Sequence, residues 1–181
     1  MPTLESATPR TAPRQVVVGL VLVAMLVALG FGVRWWMHPS VFGDPGYGFR
    51  TGAHPVQDAV TEVPVTPNRD EDPVTVRSAE PVWGDNTARA TATFQVCRAA
   101  DNALAIGAPA GSAAMVCDPL RPLEDGVQLD PRQEFVIASV TPTTAGLARL
   151  VGVRLTYMTG RSHLFQRGTE VVHLDATVVA R

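Results

Sequence analysis

Two hydrophobic patterns divide this chain. Residues 16–33 (VVVGLVLVAMLVALGFGV) form an unbroken apolar and glycine run with no charge inside it, near the length a helix needs to cross a bilayer. Beyond Trp36 no helical period remains, and apolar positions alternate instead. In residues 88–98 (ARATATFQVCR), Ala90, Ala92, Phe94 and Val96 alternate with Thr91, Thr93, Gln95 and Cys97, the period of two that suits a half-buried strand. The same period sets Val172, Leu174, Ala176 and Val178 against His173, Asp175 and Thr177, and sets Val151, Val153, Leu155 and Tyr157 against Gly152, Arg154 and Thr156. Residues 133–140 (QEFVIASV) are apolar on both faces, which predicts a central strand covered on both sides, with a partner-facing patch as the alternative. Residues 74–82 and 113–117 are weaker strand candidates.

Turn signals separate these runs at Gly84-Asp85-Asn86, residues 107–111, Asp118-Pro119, residues 123–130, residues 141–146 and Thr159-Gly160. Short strands at this spacing predict an all-β domain over residues 74–181, an antiparallel β-sandwich of immunoglobulin or fibronectin type, with a small barrel as the alternative. The Cys, Trp, Cys order of true immunoglobulin domains is missing, because Trp83 precedes both cysteines. Residues 38–73 carry proline or glycine every few positions without a sustained period, so they predict a flexible Pro/Gly-rich stalk. Inside it, VFGDPGYGF, with Phe42, Tyr47 and Phe49, is too apolar for a fully solvated linker. It is predicted either to lie on lipid headgroups or to pack on the domain.

The apolar run ends at Arg34, Trp35 and Trp36, a cation that can snorkel and two amphipathic rings that settle at the headgroup level. These three are the predicted membrane-interface residues of a transmembrane helix, a signal anchor, over residues 15–37. Arg10 and Arg14 on the N-terminal side against Arg34 alone on the other give a small positive-inside bias, with residues 1–14 as a short cytoplasmic tail and the domain outside the cell membrane. Cleavage as a signal peptide at Ala28-Leu29-Gly30 is the competing expectation, opposed by the apolar run continuing past that site.

Composition narrows the partners. A formal net charge of -2 points to no nucleic acid. All fifteen residues counted as Lys+Arg are arginine, the signature of GC-rich coding in a high-GC bacterium. Cys97 and Cys117 are the only cysteines; outside the cytoplasm they predict a disulfide. Cys97 falls on the side of its strand opposite Phe94 and Val96, so the bridge is expected to join neighbouring strand ends and close the loop between them, without crossing the core.

Other chemistry is thin. His163, His173 and Asp175 resemble the start of a metal site but lack ligands, and Asn68, Asp70 and Asp72 resemble the opening of a calcium loop without its Gly or distal Glu. Gly160-Arg161-Ser162-His163 sets a hydroxyl beside an imidazole without an orienting acid. His38 and His54 lie at the anchor boundary and in the stalk without partners. No cofactor is implied. The expectation is a non-enzymatic, single-pass envelope protein in contact with the lipid bilayer, whose β-domain meets a protein or an envelope polymer through loops or by strand addition at a sheet edge. An accessory subunit held in a membrane complex through its helix, and a membrane-tethered hydrolase, are the alternatives.

Overall fold

The computed structural model describes residues 14–37, 41–66, 72–98, 107–160 and 165–181. The chain forms two compact units, one ending at Met37 and one running from His38 to Arg181. In the first, α1 covers Arg14–Met37, 24 residues, with apolar side chains all round it and Arg34 in its last turn. Its Val16–Arg34 stretch has a mean hydropathy of 2.9 and none of it is buried. A helix that is apolar on every side has no polar face to turn to water.

The second unit is built from two five-stranded sheets. Its strands are β1 (Gly48–His54), β2 (Thr61–Pro64), β3 (Val74–Asn86), β4 (Thr91–Arg98), β5 (Ala108–Pro109), β6 (Leu120–Pro122), β7 (Val127–Leu129), β8 (Glu134–Thr141), β9 (Gly146–Met158) and β10 (Arg167–Ala180), with a short helix α2 at Ser112–Val116. One sheet has the order β1-β10-β9-β3-β7 and the other β5-β2-β8-β4-β6. The alternating runs form the interior as the period predicts. Val153, Leu155, Tyr157, Val172, Leu174, Ala176 and Val178 from the first sheet share one core cluster with Val63, Val96, Val136, Ala138 and Val140 from the second.

Strand β8 lies between β2 and β4. Its Val136, Ala138 and Val140 enter the large core, while Phe135 and Ile137 enter a second cluster with Cys97, Ala108, Ala113 and Cys117. The doubly apolar run is therefore a covered central strand and no partner-facing patch.

Several expectations change. Residues 38–73 do not behave as a stalk where they are described: Val41, Phe42, Val63 and Val65 are core residues, and β1 and β2 are sheet strands. The folded unit begins some thirty residues before Val74, because short strands whose partners lie far along the chain need no local periodicity. Of the two fates open to VFGDPGYGF, packing on the domain is the one observed. Pairing is also not uniformly antiparallel, since β1 runs parallel to β10, from Gly48 beside Asp175 to His54 beside Ala180. Residues 113–117 form α2 and its cap in place of a strand. The expected turn at Gly84-Asp85-Asn86 lies inside β3, and the chain turns at Thr87 and Ala88.

Val151 breaks the predicted alternation. It is skipped in the pairing of β9 with both β10 and β3. An unpaired residue of this kind is a β-bulge, which resets which side chains face inward. Leu150 and Ala148 are therefore buried and Val151 is only half-buried.

Candidate functional site

Among the described residues, the buried carboxylates hold the chain together. Glu62 on β2 is 6% exposed and accepts hydrogen bonds from the backbone N–H groups of Gly111 (2.9 Å) and Ala113 (2.7 Å) at the start of α2. A buried carboxylate satisfied by two such donors acts as a remote helix cap. Glu134, at the start of β8, accepts from Arg121 Nη2 through both oxygens at 3.0 Å and from the N–H of Asp130. Arg98 stands 3.7 Å away on its other side.

A third carboxylate fixes residues 41–44. Glu170 Oε2 accepts from the N–H groups of Val41 and Phe42, each at 3.1 Å, and from the Tyr157 hydroxyl at 3.3 Å. The Phe42 ring stands edge-on to Tyr157, 5.1 Å between centroids, a favoured aromatic geometry. Two residues on, Asp44 Oδ1 accepts from the His173 N–H at 3.0 Å. Burial raises the pKa of Tyr157 far above the ordinary tyrosine value, with the Glu170 charge pushing the same way. Tyr47 is raised by burial alone.

The outer face of the β1-β10-β9-β3-β7 sheet is dressed with ion pairs. Arg149 meets Asp175 through two hydrogen bonds of 2.8 Å, and this contact holds the Asp175 carboxyl below its usual range. Arg154 lies 3.4 Å from Glu80. Such exposed pairs contribute little to stability. Asp175 is thus engaged by Arg149, and the sequence-predicted grouping with two histidines is not assembled by the described residues. His163 lies outside them, as do Ser162, Arg161, Asn68, Asp70 and His38. Asp72 faces Arg132 at 3.8 Å, and His54 is exposed at the end of β1. Among the described residues no three His, Cys, Asp or Glu side chains gather as metal ligands would.

Cys97 and Cys117 are bonded to each other. Cys97 does face away from the large core, yet it is completely buried, because α2 and the chain around it cover that side of β4. The bridge ties β4 to the C-cap of α2, three residues before β6, the neighbour of β4 in the sheet. Arg34 and Trp36 are exposed in the last turn of α1, and Trp35 belongs to the same turn.

The margin of the domain between β3 and β4 is incompletely closed among the described residues. Strand β7 pairs with β3 only at Val74, Thr75 and Val76, so among the described residues the rest of β3 has a strand on one side only. Ala79, Trp83, Phe94, Leu123 and Val127 pack against the core there but stay partly exposed. Strand β3 carries Pro81 and, in its pairing with β9, three register shifts, irregularities that discourage addition of a foreign strand. The exposed part of the margin is apolar side-chain surface that includes Trp83. No sequence pattern marks it, since its partly buried apolar residues come from separate segments of the chain. Comparisons with protein-family models, with curated proteins and with solved structures return no match for this chain.

Proposed function

We propose that this chain is a single-pass membrane protein, cytoplasmic at its N-terminus, whose extracytoplasmic β-sandwich docks another protein or an envelope polymer without catalysing a reaction. The observation that carries it is the pairing of an unburied 19-residue stretch, Val16–Arg34, apolar up to its terminal arginine, with a β-domain whose buried carboxylates, among the described residues, serve as structural acceptors. Two sheets sharing one core favour a sandwich over a barrel. The mixed pairing of β1 with β10 makes the architecture a variant of the immunoglobulin or fibronectin plan at most. A disulfide between the only two cysteines suits an oxidising compartment outside the cytoplasm.

The margin around Trp83 is the docking surface in this reading, because half-buried aromatic rings at an apolar margin are the usual anchors of interfaces. Its edge defences make side-chain docking the mode, in place of strand addition. Two measurements test the proposal in cells of the source organism. The full chain should resist carbonate extraction from membranes; release as a shortened soluble product would establish signal cleavage instead. A photo-crosslinking side chain at Asp85, beside the margin, should give one discrete adduct that Trp83→Ala abolishes, while the same probe at Thr169 should give none. Equal labelling at both positions, or none at Asp85, overturns docking at this margin.

A further inference from the structure

The outer face of β8 is covered by a short length of chain. Phe135 and Ile137 form a small core there with Cys97, Ala108, Ala113 and Cys117, separate from the large core between the sheets. Among the described residues the cover is residues 108–117, which comprise β5, the turn after it, and α2 with its cap. The other side of this segment faces water, where Pro109, Ala110, Gly111, Ala114 and Met115 are exposed.

Most of what joins the segment to the sheet is weak. β5 pairs with β2 at two positions only, Thr61 with Pro109 and Glu62 with Ala108. α2 is five residues long, far too short to persist on its own hydrogen bonds, and the N–H groups of Gly111 and Ala113 at its start are held by Glu62. When those bonds break, each N–H turns to water and the Glu62 carboxylate recovers the hydration that burial denies it, so they oppose opening little. The chain at either end stays in place. Gly107, at φ +70°, lies so close to the Phe49 ring that a Cβ there would stand 2.6 Å from it, and its backbone freedom makes it a pivot. At the other end the Asp118 N–H donates to the Arg98 carbonyl at 2.8 Å, and the Arg98 N–H donates to the Pro119 carbonyl at 3.3 Å. Two strong ties remain, the burial of Phe135 and Ile137 and the covalent bond at Cys117.

We propose that residues 108–117 form a flap over β8 whose opening is governed by the Cys97–Cys117 bridge, so that reduction uncovers Phe135 and Ile137 while the two-sheet core stays folded. The reductant is a dithiol. It attacks at Cys117, 8% exposed where Cys97 is 0%; the bond between the two sulfurs breaks, and Cys97 leaves as a thiolate that takes up a proton. The second thiol of the reagent then displaces Cys117 from the mixed disulfide, so the protein gains two electrons and two protons and the reagent becomes a disulfide. Loss of a crosslink between residues 20 apart raises the population of the open flap by roughly a hundredfold through loop entropy. Opening is local, because the large core shares none of its buried residues with the small one.

The test uses the full chain in detergent micelles, oxidised or treated with dithiothreitol, with hydrogen exchange and iodoacetamide alkylation both read by mass spectrometry. After reduction, amide exchange over residues 108–117 should quicken by roughly a hundredfold while β9 and β10 keep their protection. Cys97 should alkylate as the flap opens, and the bulk of the adduct traps it open. A Cys97→Ala, Cys117→Ala double variant should give the same exchange pattern without reductant, which separates loss of the bridge from thiol chemistry. Three results overturn the flap. A bridge that resists dithiothreitol in the folded chain removes the switch. Unchanged exchange over residues 108–117, with Cys97 unreactive in the reduced chain, means that the small core holds the segment unaided. Loss of protection in β9 and β10 together with residues 108–117 means that the bridge supports the whole domain.

Discussion

At the scale of single residues, the fold depends on polar groups buried with their partners. Glu170 gathers two backbone N–H groups and the Tyr157 hydroxyl, so Glu170→Ala strands several donors at once and should lower stability by about 1–3 kcal/mol in denaturant titrations. Tyr157→Phe removes one donor and leaves the ring contact with Phe42, so its cost should be near the lower end of that range. The tyrosines also set an alkaline limit. Tyr47 and Tyr157, the only two in the chain, are both raised above the ordinary value of 10.0 by burial. Below that value both folded and unfolded chains hold the phenolic proton, and the contribution is fully present. Above it the unfolded chain ionises first, so stability falls as pH rises. Tyrosinate absorbance should therefore appear in one step with the loss of β circular dichroism. A tyrosine that ionises near pH 10 in the intact fold would contradict the burial of its ring.

At the scale of elements, period and burial agree where a strand is long and half-covered. Strand β10 could be read from residue order because its neighbours lie on both sides and its inner face is uniformly apolar. β8 could be read as central for the complementary reason, apolar on both faces. Ile137→Ala, on the face of β8 away from the large core, should cost about 2–5 kcal/mol, whereas Thr93→Ala on exposed β4 positions should cost under about 1. Phe94→Ala should fall below the usual range for a buried phenylalanine, since Phe94 is only partly covered at the margin. Cys97→Ser removes a crosslink between residues 20 apart, worth about 3 kcal/mol by loop-closure entropy.

What escaped residue order shares one cause. The strands β1 and β2 and the core residues Val41 and Phe42 hide among prolines and glycines, and each is fixed by contacts from far along the chain. The three structural carboxylates, Glu62, Glu134 and Glu170, look like any exposed acids in the sequence, because burial of a charge is decided by what folds over it. Helix α2 is too short for a period to register, and the bulge at Val151 leaves no local trace. The disulfide and the direction in which Cys97 faces were legible; the second small core that buries it was not.

At the scale of the molecule, the boundary of the folded unit follows from its core. A fragment starting at Val74 lacks β1, β2, Val41, Phe42, Val63 and Val65, and so exposes both the inner faces of β8 and β10 and the edge of β10. It should fail to unfold cooperatively in a thermal scan, while a fragment starting at His38 should show one transition. A cooperative transition in the shorter fragment would mean that the first two strands are decoration.

The pairing of the first strand with the last carries a consequence in time. Val41 and Glu170 are 129 residues apart, so the segment that leaves the ribosome just behind the apolar helix has nothing to bind until β10 has been made. Closing a loop of that size is slow relative to local folding. On the membrane topology proposed above, the order of synthesis would deliver to the translocation machinery a chain that topology keeps open, with folding postponed to the far side, where the two thiols can be oxidised.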